Sequence, residues 1–288
     1  MIHLLSDAGL DALRTLTQHA VLYAFDFDGT LAPLSPDREA VAVPRSVAEW
    51  LKELAKRAPC AIVSGRGIKD LAGRIDGLIP HVIGNHGIES PLTSPVALAW
   101  CDGVCAGWRR ALKDALSHDP STAGIELEDK RYTLTLHYRD GVDPIRIRSV
   151  LTTLVEQLSP APRVIVGKQS VNLLPPGKGG KGAAALGLMR HLNQRGLFYV
   201  GDDETDEDVF ELDEGLLMGV RVGRDARSRA RFFVKHQGEL EEAVRFLVHR
   251  IDRTPESGRT GGDRAETSTM REDSAGRGTA TARARSAS

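Results

Sequence analysis

Three short apolar runs, each followed directly by polar residues, constrain the fold of this chain more than any other feature. The runs occupy residues 21–25, 60–63 and 197–200, and they end at Asp26, at Ser64 and at the acidic stretch 201–206. Runs of four or five apolar residues are typical of strands buried on both faces of a parallel sheet. Helical patterns alternate with these runs, and such alternation predicts βαβ units with right-handed crossovers. The predicted fold class is therefore α/β, with a doubly wound, Rossmann-like parallel sheet.

The middle of the chain departs from this rhythm. Apolar and polar residues alternate strictly over 132–139, which predicts a half-exposed antiparallel strand, and helical patterns lie on either side of it. We interpret residues 92–174 as an inserted α+β domain, and residues 1–91 with 175–251 as the parallel-sheet domain. Residues 252–288 lack Val, Leu, Ile, Phe, Tyr and Trp, so we expect a disordered tail.

The composition excludes several classes of protein. Lysine and arginine number 38 and aspartate and glutamate number 39, a balance that argues against a general nucleic-acid binder. No apolar run approaches the ~20 residues that span a bilayer, and the N-terminus lacks the pattern of a secretory signal. Three cysteines, Cys60, Cys101 and Cys105, give no disulfide framework. We expect a soluble cytoplasmic protein with no nucleic-acid or membrane partner.

The three strand ends predict a site for phosphate chemistry. Ligands of open α/β sheets bind outside the carboxyl ends of the strands, so the polar residues there converge if the strands are neighbours. Asp26 and Asp28 lie two apart just past a strand, and crowded carboxylates need a hard cation such as Mg²⁺. Ser64 and either Lys178 or Lys181 can hold a tetrahedral anion. A metal site beside an anion site fits phosphoryl transfer.

The glycine-rich run 177–182 has another interpretation that the sequence excludes. It resembles a nucleotide-binding P-loop, but Gly182 follows Lys181 where that loop requires Ser or Thr. Two structural alternatives stay open. Ser64 and the Asp202-Asp203 pair are residues that also cap helices.

The stretch Asp26-Phe27-Asp28-Gly29-Thr30-Leu31 resembles the first motif of the haloacid dehalogenase superfamily, D-x-D-G-T-L. Ser64, Lys181-Gly182 and residues 201–206 match its second, third and fourth motifs. Further stretches are similar to trehalose-6-phosphate phosphatases: residues 64–66 (S-G-R), 84–89 (G-N-H-G-I-E), 128–130 (E-D-K), 137–139 (H-Y-R) and 205–208 (T-D-E-D). The resemblance spans roughly residues 20–250.

The resemblance implies an aspartyl-phosphate mechanism with a Mg²⁺ cofactor. Asp26 is then the nucleophile and Asp28 the general acid and base. The implied phosphate-binding residues are Thr30, Ser64 and Lys181. The implied metal ligands are Asp26, the backbone carbonyl of Asp28, Asp202 and Asp203, with Asp206 as the alternative to Asp203.

The resemblance also makes the inserted segment 92–174 a cap that covers the site of a haloacid dehalogenase core. The implied sugar contacts are Arg66, His86 and Glu89 from the core and Glu128, Lys130 and Arg139 from the cap, with His137 as the alternative to Arg139. The implied activity is hydrolysis of trehalose 6-phosphate, functionally coupled to a separate trehalose-phosphate synthase.

Other functions stay open at this point. The family pattern E-x-[RK]-P is replaced by Asn172-Leu173-Leu174-Pro175, so another sugar phosphate, such as sucrose phosphate or mannosylphosphoglycerate, is an alternative substrate. A phosphomutase would also form an aspartyl-phosphate. A non-catalytic partner of a synthase would be expected to have lost Asp26 or Asp28, and both are present.

Overall fold

In the computed structural model of the chain, the residues described are 1–35, 41–75, 77–138, 144–167, 169–213 and 215–251. Arg139 and the predicted tail 252–288 lie outside the described residues, so both expectations stay predictions. The strands are β1 (Ile2–His3), β2 (Val21–Phe25), β3 (Cys60–Val63), β4 (His81–Ile83), β5 (Ile125–Asp129), β6 (Leu134–Tyr138), β7 (Arg163–Val166), β8 (Ser170–Leu174), β9 (Gly196–Gly201), β10 (Leu217–Val222) and β11 (Phe232–Val234). The helices are α1 (Asp7–Leu16), α2 (Arg45–Ala55), α3 (Ile68–Ile75), α4 (Pro95–His118), α5 (Pro144–Glu156), α6 (Lys181–His191), α7 (Glu207–Phe210) and α8 (Gln237–Arg250).

The first sheet contains seven parallel strands in the order β1-β11-β10-β9-β2-β3-β4. The three predicted strands are neighbours, with Val21 of β2 opposite Gly196 of β9 and Tyr23 opposite Cys60 of β3. Side chains of β2 alternate between the two faces of the sheet. Tyr23 and Phe25 belong to one apolar cluster, whereas Leu22 belongs to the other. Burial on both faces explains why β2 has no polar residue, and it confirms the doubly wound α/β fold.

The second sheet is antiparallel, in the order β5-β6-β8-β7. One of its faces is apolar and packs against α4 and α5, with Trp108, Leu134 and Leu151 among the buried residues. The opposite face is not open to water as predicted, since Thr133 and Thr135 on it are buried. Their hydroxyls donate to the side-chain oxygens of Asn85 and Asn172.

The two sheets belong to one compact unit of the chain. The second sheet comes from the segment between β4 and α6, so the polar face of β6 is turned toward the carboxyl ends of the first sheet. The exact bounds of the predicted cap, 92–174, stay a prediction. Within the described residues, no helix combines the length and the apolar character needed to cross a membrane.

Candidate active site

A cavity of about 340 Å³ lies at the carboxyl ends of β2, β3 and β9, where Asp26, Gly65 and Asp202 face it. The other polar lining residues are Asp28, Ser35, Arg66, His86, Lys181, Asp203 and Thr205 from the core segments and Glu128, Lys130, Thr135, His137, Gln169, Ser170 and Asn172 from the second-sheet segment. The prediction that the strand ends converge is confirmed. The polar face of the second sheet lines the side of the cavity that faces these strand ends.

Lys181 lines this cavity and contacts two carboxylates there. Its Nζ donates to Asp26 Oδ1 at 2.7 Å and to Asp206 Oδ1 at 2.8 Å, and all three side chains are buried. The hydroxyl of Tyr199 donates to the same oxygen of Asp206 at 2.6 Å. Lys178 is exposed instead. The structure therefore places Lys181, and not Lys178, beside the carboxylates.

The charges of this cluster shift the pKa values of Asp26 and Lys181. Burial raises the pKa of Asp26 well above its ordinary value, although the Lys181 ammonium opposes that shift. Burial disfavours the Lys181 ammonium, but the charges of Asp206 and Asp26 outweigh it, so the pKa of Lys181 is raised. Lys181 is therefore a fixed cation at neutral pH.

Three carboxylates could share a metal ion here. Oxygens of Asp26, Asp202 and Asp206 lie within 4.8 Å of one another. The carboxylate of Asp203 caps the backbone of the following turn, while Asp206 Oδ2 accepts from the Asp203 backbone nitrogen at 3.0 Å. The geometry thus brings Asp206 rather than Asp203 into the carboxylate cluster.

Gly29 explains how the turn after β2 can approach these carboxylates. Its φ of 77° is left-handed, and a Cβ atom there would collide with the carboxylate of Asp202. Any other residue would push Asp202 away from Asp26. The glycine in D-x-D-G-T therefore serves both the turn and the packing of the acidic cluster.

Asp28 is held by Arg66. The guanidinium donates from Nε to Asp28 Oδ2 at 2.7 Å and from Nη2 to Oδ1 at 2.8 Å, and its Nη1 donates to Asp70 at 2.7 Å. Such a two-pronged contact fixes the orientation of a carboxylate. Arg66 also lines the cavity, so its predicted sugar contact stays a prediction beside its observed contact with Asp28.

His86 lies in the cavity wall with left-handed φ of 52°. Its ring is buried, and among the described residues no group meets hydrogen-bond geometry with either ring nitrogen. Burial and the nearby cations Lys130 and Lys181 lower its pKa well below the ordinary value, so the ring is neutral at neutral pH. An unpartnered buried imidazole can donate to, or accept from, a ligand that enters the cavity.

The second sheet supplies the predicted cap residues. Glu128 Oε2 pairs with His137 Nε2 at 2.6 Å, and Lys130 Nζ lies 3.7 Å from the same oxygen. Asn172 is buried, and its Oδ1 accepts from Thr135 Oγ1 at 2.9 Å. Leu174 is buried in a small apolar cluster with Ile88, Cys101 and Tyr132. The β8 strand therefore contributes an amide to the cavity, where the family pattern has charges.

Three predicted residues lie behind the cavity wall. Glu89 Oε2 accepts from the backbone nitrogen of Ile68, at the start of α3, at 2.8 Å, so it caps that helix. Ser64 Oγ accepts from the backbone nitrogen of Arg66 at 3.1 Å, and it is almost fully buried. Thr30 is also buried, and its hydroxyl has no hydrogen-bond partner within the described part of the chain.

The chain matches the sequence profile of the family described as trehalose-phosphatase over residues 24–224. It is similar to the trehalose-phosphate phosphatase of Mycobacterium tuberculosis, with 32% identity over 200 residues, which cover 65% of this chain and 50% of that protein. The chain thus spans about half the length of this relative.

Solved structures share the fold. The C-terminal domain of Candida albicans trehalose-6-phosphate phosphatase has a TM-score of 0.65 at 20% identity, covering 83% of this chain and 96% of that one. The sucrose-phosphatase of Synechocystis has a TM-score of 0.53 at 20% identity, covering 80% of this chain and 98% of that one. At such identities the likeness concerns the fold alone.

Proposed function

Because this chain belongs to the trehalose-phosphatase family, we propose that it hydrolyses trehalose 6-phosphate to trehalose and inorganic phosphate. The observation that carries the proposal is the contact of Lys181 with Asp26 inside the matched segment, beside two further carboxylates. This arrangement pairs a nucleophile with a cation that can bind the transferred group. The relatives favour trehalose 6-phosphate over the other sugar phosphates.

In the first step, an oxygen of Asp26 attacks phosphorus and the bond from phosphorus to the sugar oxygen breaks. Asp28 gives its proton to the departing sugar oxygen, so that the sugar leaves as an alcohol. The Lys181 ammonium offsets the repulsion between the carboxylate and the phosphate. Arg66 orients the Asp28 carboxylate, and one of its two contacts must open for Asp28 to carry the transferred proton.

In the second step, water attacks phosphorus of the aspartyl-phosphate. Asp28 accepts the proton of the water, the bond from phosphorus to Asp26 breaks, and the Asp26 carboxylate and inorganic phosphate are released. The chain then has its starting protonation state. The two steps need one carboxylate as nucleophile and a second one as acid and base, which are the roles proposed for Asp26 and Asp28.

A divalent cation fits the carboxylate cluster. Hard oxygen donors from Asp26, Asp202 and Asp206 suit Mg²⁺, with the backbone carbonyl of Asp28 as a further proposed ligand. When bound, Mg²⁺ would neutralise charge on the phosphoryl oxygens. Asp203 would support the site by fixing the turn that carries Asp206.

The polar face of the second sheet and His86 would bind the sugar. Glu128, Lys130 and His137 line the cavity opposite Asp26, and they offer both charged and neutral hydrogen-bonding groups to hydroxyls. Arg139 stays a proposed contact. Thr30 and Ser64 stay proposed phosphate-binding residues that would need to turn toward the ligand, and Glu89 would act by supporting α3.

We place the enzyme in the cytoplasm, with a small-molecule sugar phosphate as its substrate and a separate synthase as its supplier. The neutral Asn172 leaves room for a modified set of sugar contacts within this function.

The test is phosphate release from a panel of sugar phosphates with Mg²⁺, run with wild type and Asp26→Asn. The panel includes trehalose 6-phosphate, sucrose 6-phosphate and glucose 6-phosphate. We expect a strong preference for trehalose 6-phosphate that vanishes in the variant. A preference for another sugar phosphate would overturn the proposed substrate. Phosphate release that survives Asp26→Asn would overturn the proposed mechanism.

A further inference from the structure

The glycine-rich run 177–182 connects β8 of the second sheet with α6, whose first residue is Lys181. We call this run the crossover. Three of its glycines have left-handed φ, namely Gly177 (66°), Gly179 (73°) and Gly180 (113°). A run of this kind is conformationally free unless neighbouring groups fix it. Lys181 must nevertheless be placed accurately against Asp26, so the contacts that fix this crossover matter.

Arg163, the first residue of β7, contacts the crossover from the second sheet. Its Nη2 donates to Asp208 Oδ1 at 2.8 Å, and its Nη1 donates to the carbonyl oxygen of Gly179 at 3.3 Å. The other oxygen of Asp208 accepts from the backbone nitrogen of Gly182 at 3.5 Å. The Arg163–Asp208 pair therefore touches the crossover on both sides of Lys181.

Gly180 allows this pair to lie directly against the backbone. A Cβ atom at Gly180 would lie 2.7 Å from Asp208 Oδ2 and 2.9 Å from Arg163 Nη1. The opposite side of the crossover is held as well, because the Gly180 nitrogen donates to the carbonyl oxygen of His86 at 2.6 Å. The crossover is thus clamped between the His86 turn and the Arg163–Asp208 pair.

We propose that Arg163 is a positioning residue, which holds the glycine-rich crossover so that Lys181 keeps its place beside Asp26. The planar fork of arginine reaches two acceptors at once, which the ammonium of lysine cannot do with the same geometry. The pair is partly exposed, and exposed ion pairs add little to stability. Its effect is therefore on the geometry of the site, and the kinetic test rests on the proposed phosphatase function.

The experiment compares Arg163→Gln and Arg163→Lys with Arg45→Gln. Arg45 also pairs with a carboxylate, Glu49 at 3.0 Å, but on α2. We expect Arg163→Gln to lower kcat about tenfold or more, since small misplacements of a catalytic group have large effects on rate. Arg163→Lys should restore part of that loss, Arg45→Gln should match wild type, and Tm should change little in all three.

Hydrogen exchange supplies a readout that needs no activity. Amides of 177–182 should exchange faster in Arg163→Gln than in wild type, while those of β2 and β9 stay unchanged. Equal exchange in this segment, kcat within about twofold of wild type, or a Tm loss that accounts for the lost activity would overturn the proposal. If wild type releases no phosphate from any substrate, the proposed function fails, and the exchange comparison alone decides the role of Arg163.

Discussion

Replacing Lys181 by methionine tests the electrostatics of the site in isolation from catalysis. Methionine keeps much of the volume of the side chain but removes the cation that two buried carboxylates share at 2.7 and 2.8 Å. Breaking a buried ion pair by removing one partner typically destabilises a protein by about 3–5 kcal/mol. We expect a loss of this size at about pH 8, where burying carboxylate charge without its cation is most costly.

The pH dependence of this loss has a definite sign. Without Lys181, the pKa of Asp26 in the folded variant rises further above its unfolded value, because the cation that opposes the effect of burial is gone. Stability linked to a raised carboxylate pKa is present at low pH and is lost as pH rises. The difference in unfolding free energy between variant and wild type should therefore narrow toward about pH 5.5, by up to about 1.4 kcal/mol per pH unit for the Asp26 carboxylate.

Urea unfolding followed by tryptophan fluorescence measures both effects, because Trp108 is buried. The matched control is Lys178→Met, which removes an exposed cation three positions earlier and should stay within about 0.5 kcal/mol of wild type. A Lys181→Met loss below about 1 kcal/mol at pH 8, or a loss that does not change with pH, would refute the reasoning.

Three further predictions follow from single features of the site and core. His86→Asn should weaken the acid sensitivity of unfolding, because neutral buried His86 makes wild type lose stability as pH falls below about 6.5, and Asn tolerates a left-handed φ. Gly29→Ala should reduce phosphate release and cost at least about 1–2 kcal/mol of unfolding free energy, given its left-handed φ and the collision with Asp202. Burial raises the pKa of Cys60 and Cys101, and that of Cys105 to about 12, so a thiol reagent at neutral pH should label the cysteines far more slowly in native than in unfolded protein.

Each of these predictions has a result that contradicts it. Equal loss of stability on acidification in wild type and His86→Asn would mean that His86 is protonated in the fold. Full activity of Gly29→Ala would mean that the turn can move without disturbing Asp202. Rapid labelling of native protein would mean that a cysteine is reached through local opening.

Much of the first sheet could be predicted because its strands are buried on both faces. The apolar runs at 21–25, 60–63 and 197–200 correspond to β2, β3 and β9 with shifts of at most one residue. Burial on both faces makes sequence and structure agree, since every position of such a strand must be apolar. Because the carboxyl ends of parallel strands lie on the same side of a sheet, these strand assignments also predicted that Asp26 and Asp202 lie close together.

Helix α1 and strand β5 were missed for different reasons. Helix α1 has a clear signal, since Ser6 caps it and Leu10, Leu13 and Leu16 recur at helical spacing. Strand β5 has little signal, because it combines Ile125 and Leu127 with three acidic residues. Its stability comes from pairing with β6, and a tertiary contact of this kind is not written in the local pattern.

The candidate site was predicted as a set of residues but not as a set of contacts. The choice of Lys181 over Lys178 depends on where α6 begins, and the pairing of Arg66 with Asp28 depends on rotamers. Asp206 was named only as an alternative to Asp203, because both follow the same strand. The turn geometry that directs Asp206 inward is set by the reciprocal hydrogen bonds between the two residues.

The strand order of the first sheet has a consequence for how the chain folds. Strand β2 pairs along one edge with β3, which is nearby in the sequence, and along its other edge with β9, where Val21 lies opposite Gly196. Contacts between such distant segments are slow to form, because a long loop must close first. During synthesis, one edge of the apolar strand β2 therefore stays unpaired until β9 has been made. An unpaired edge of this kind promotes aggregation. We expect slow refolding that depends strongly on chaperones, with the contact between Asp26 and Lys181 forming only late in folding.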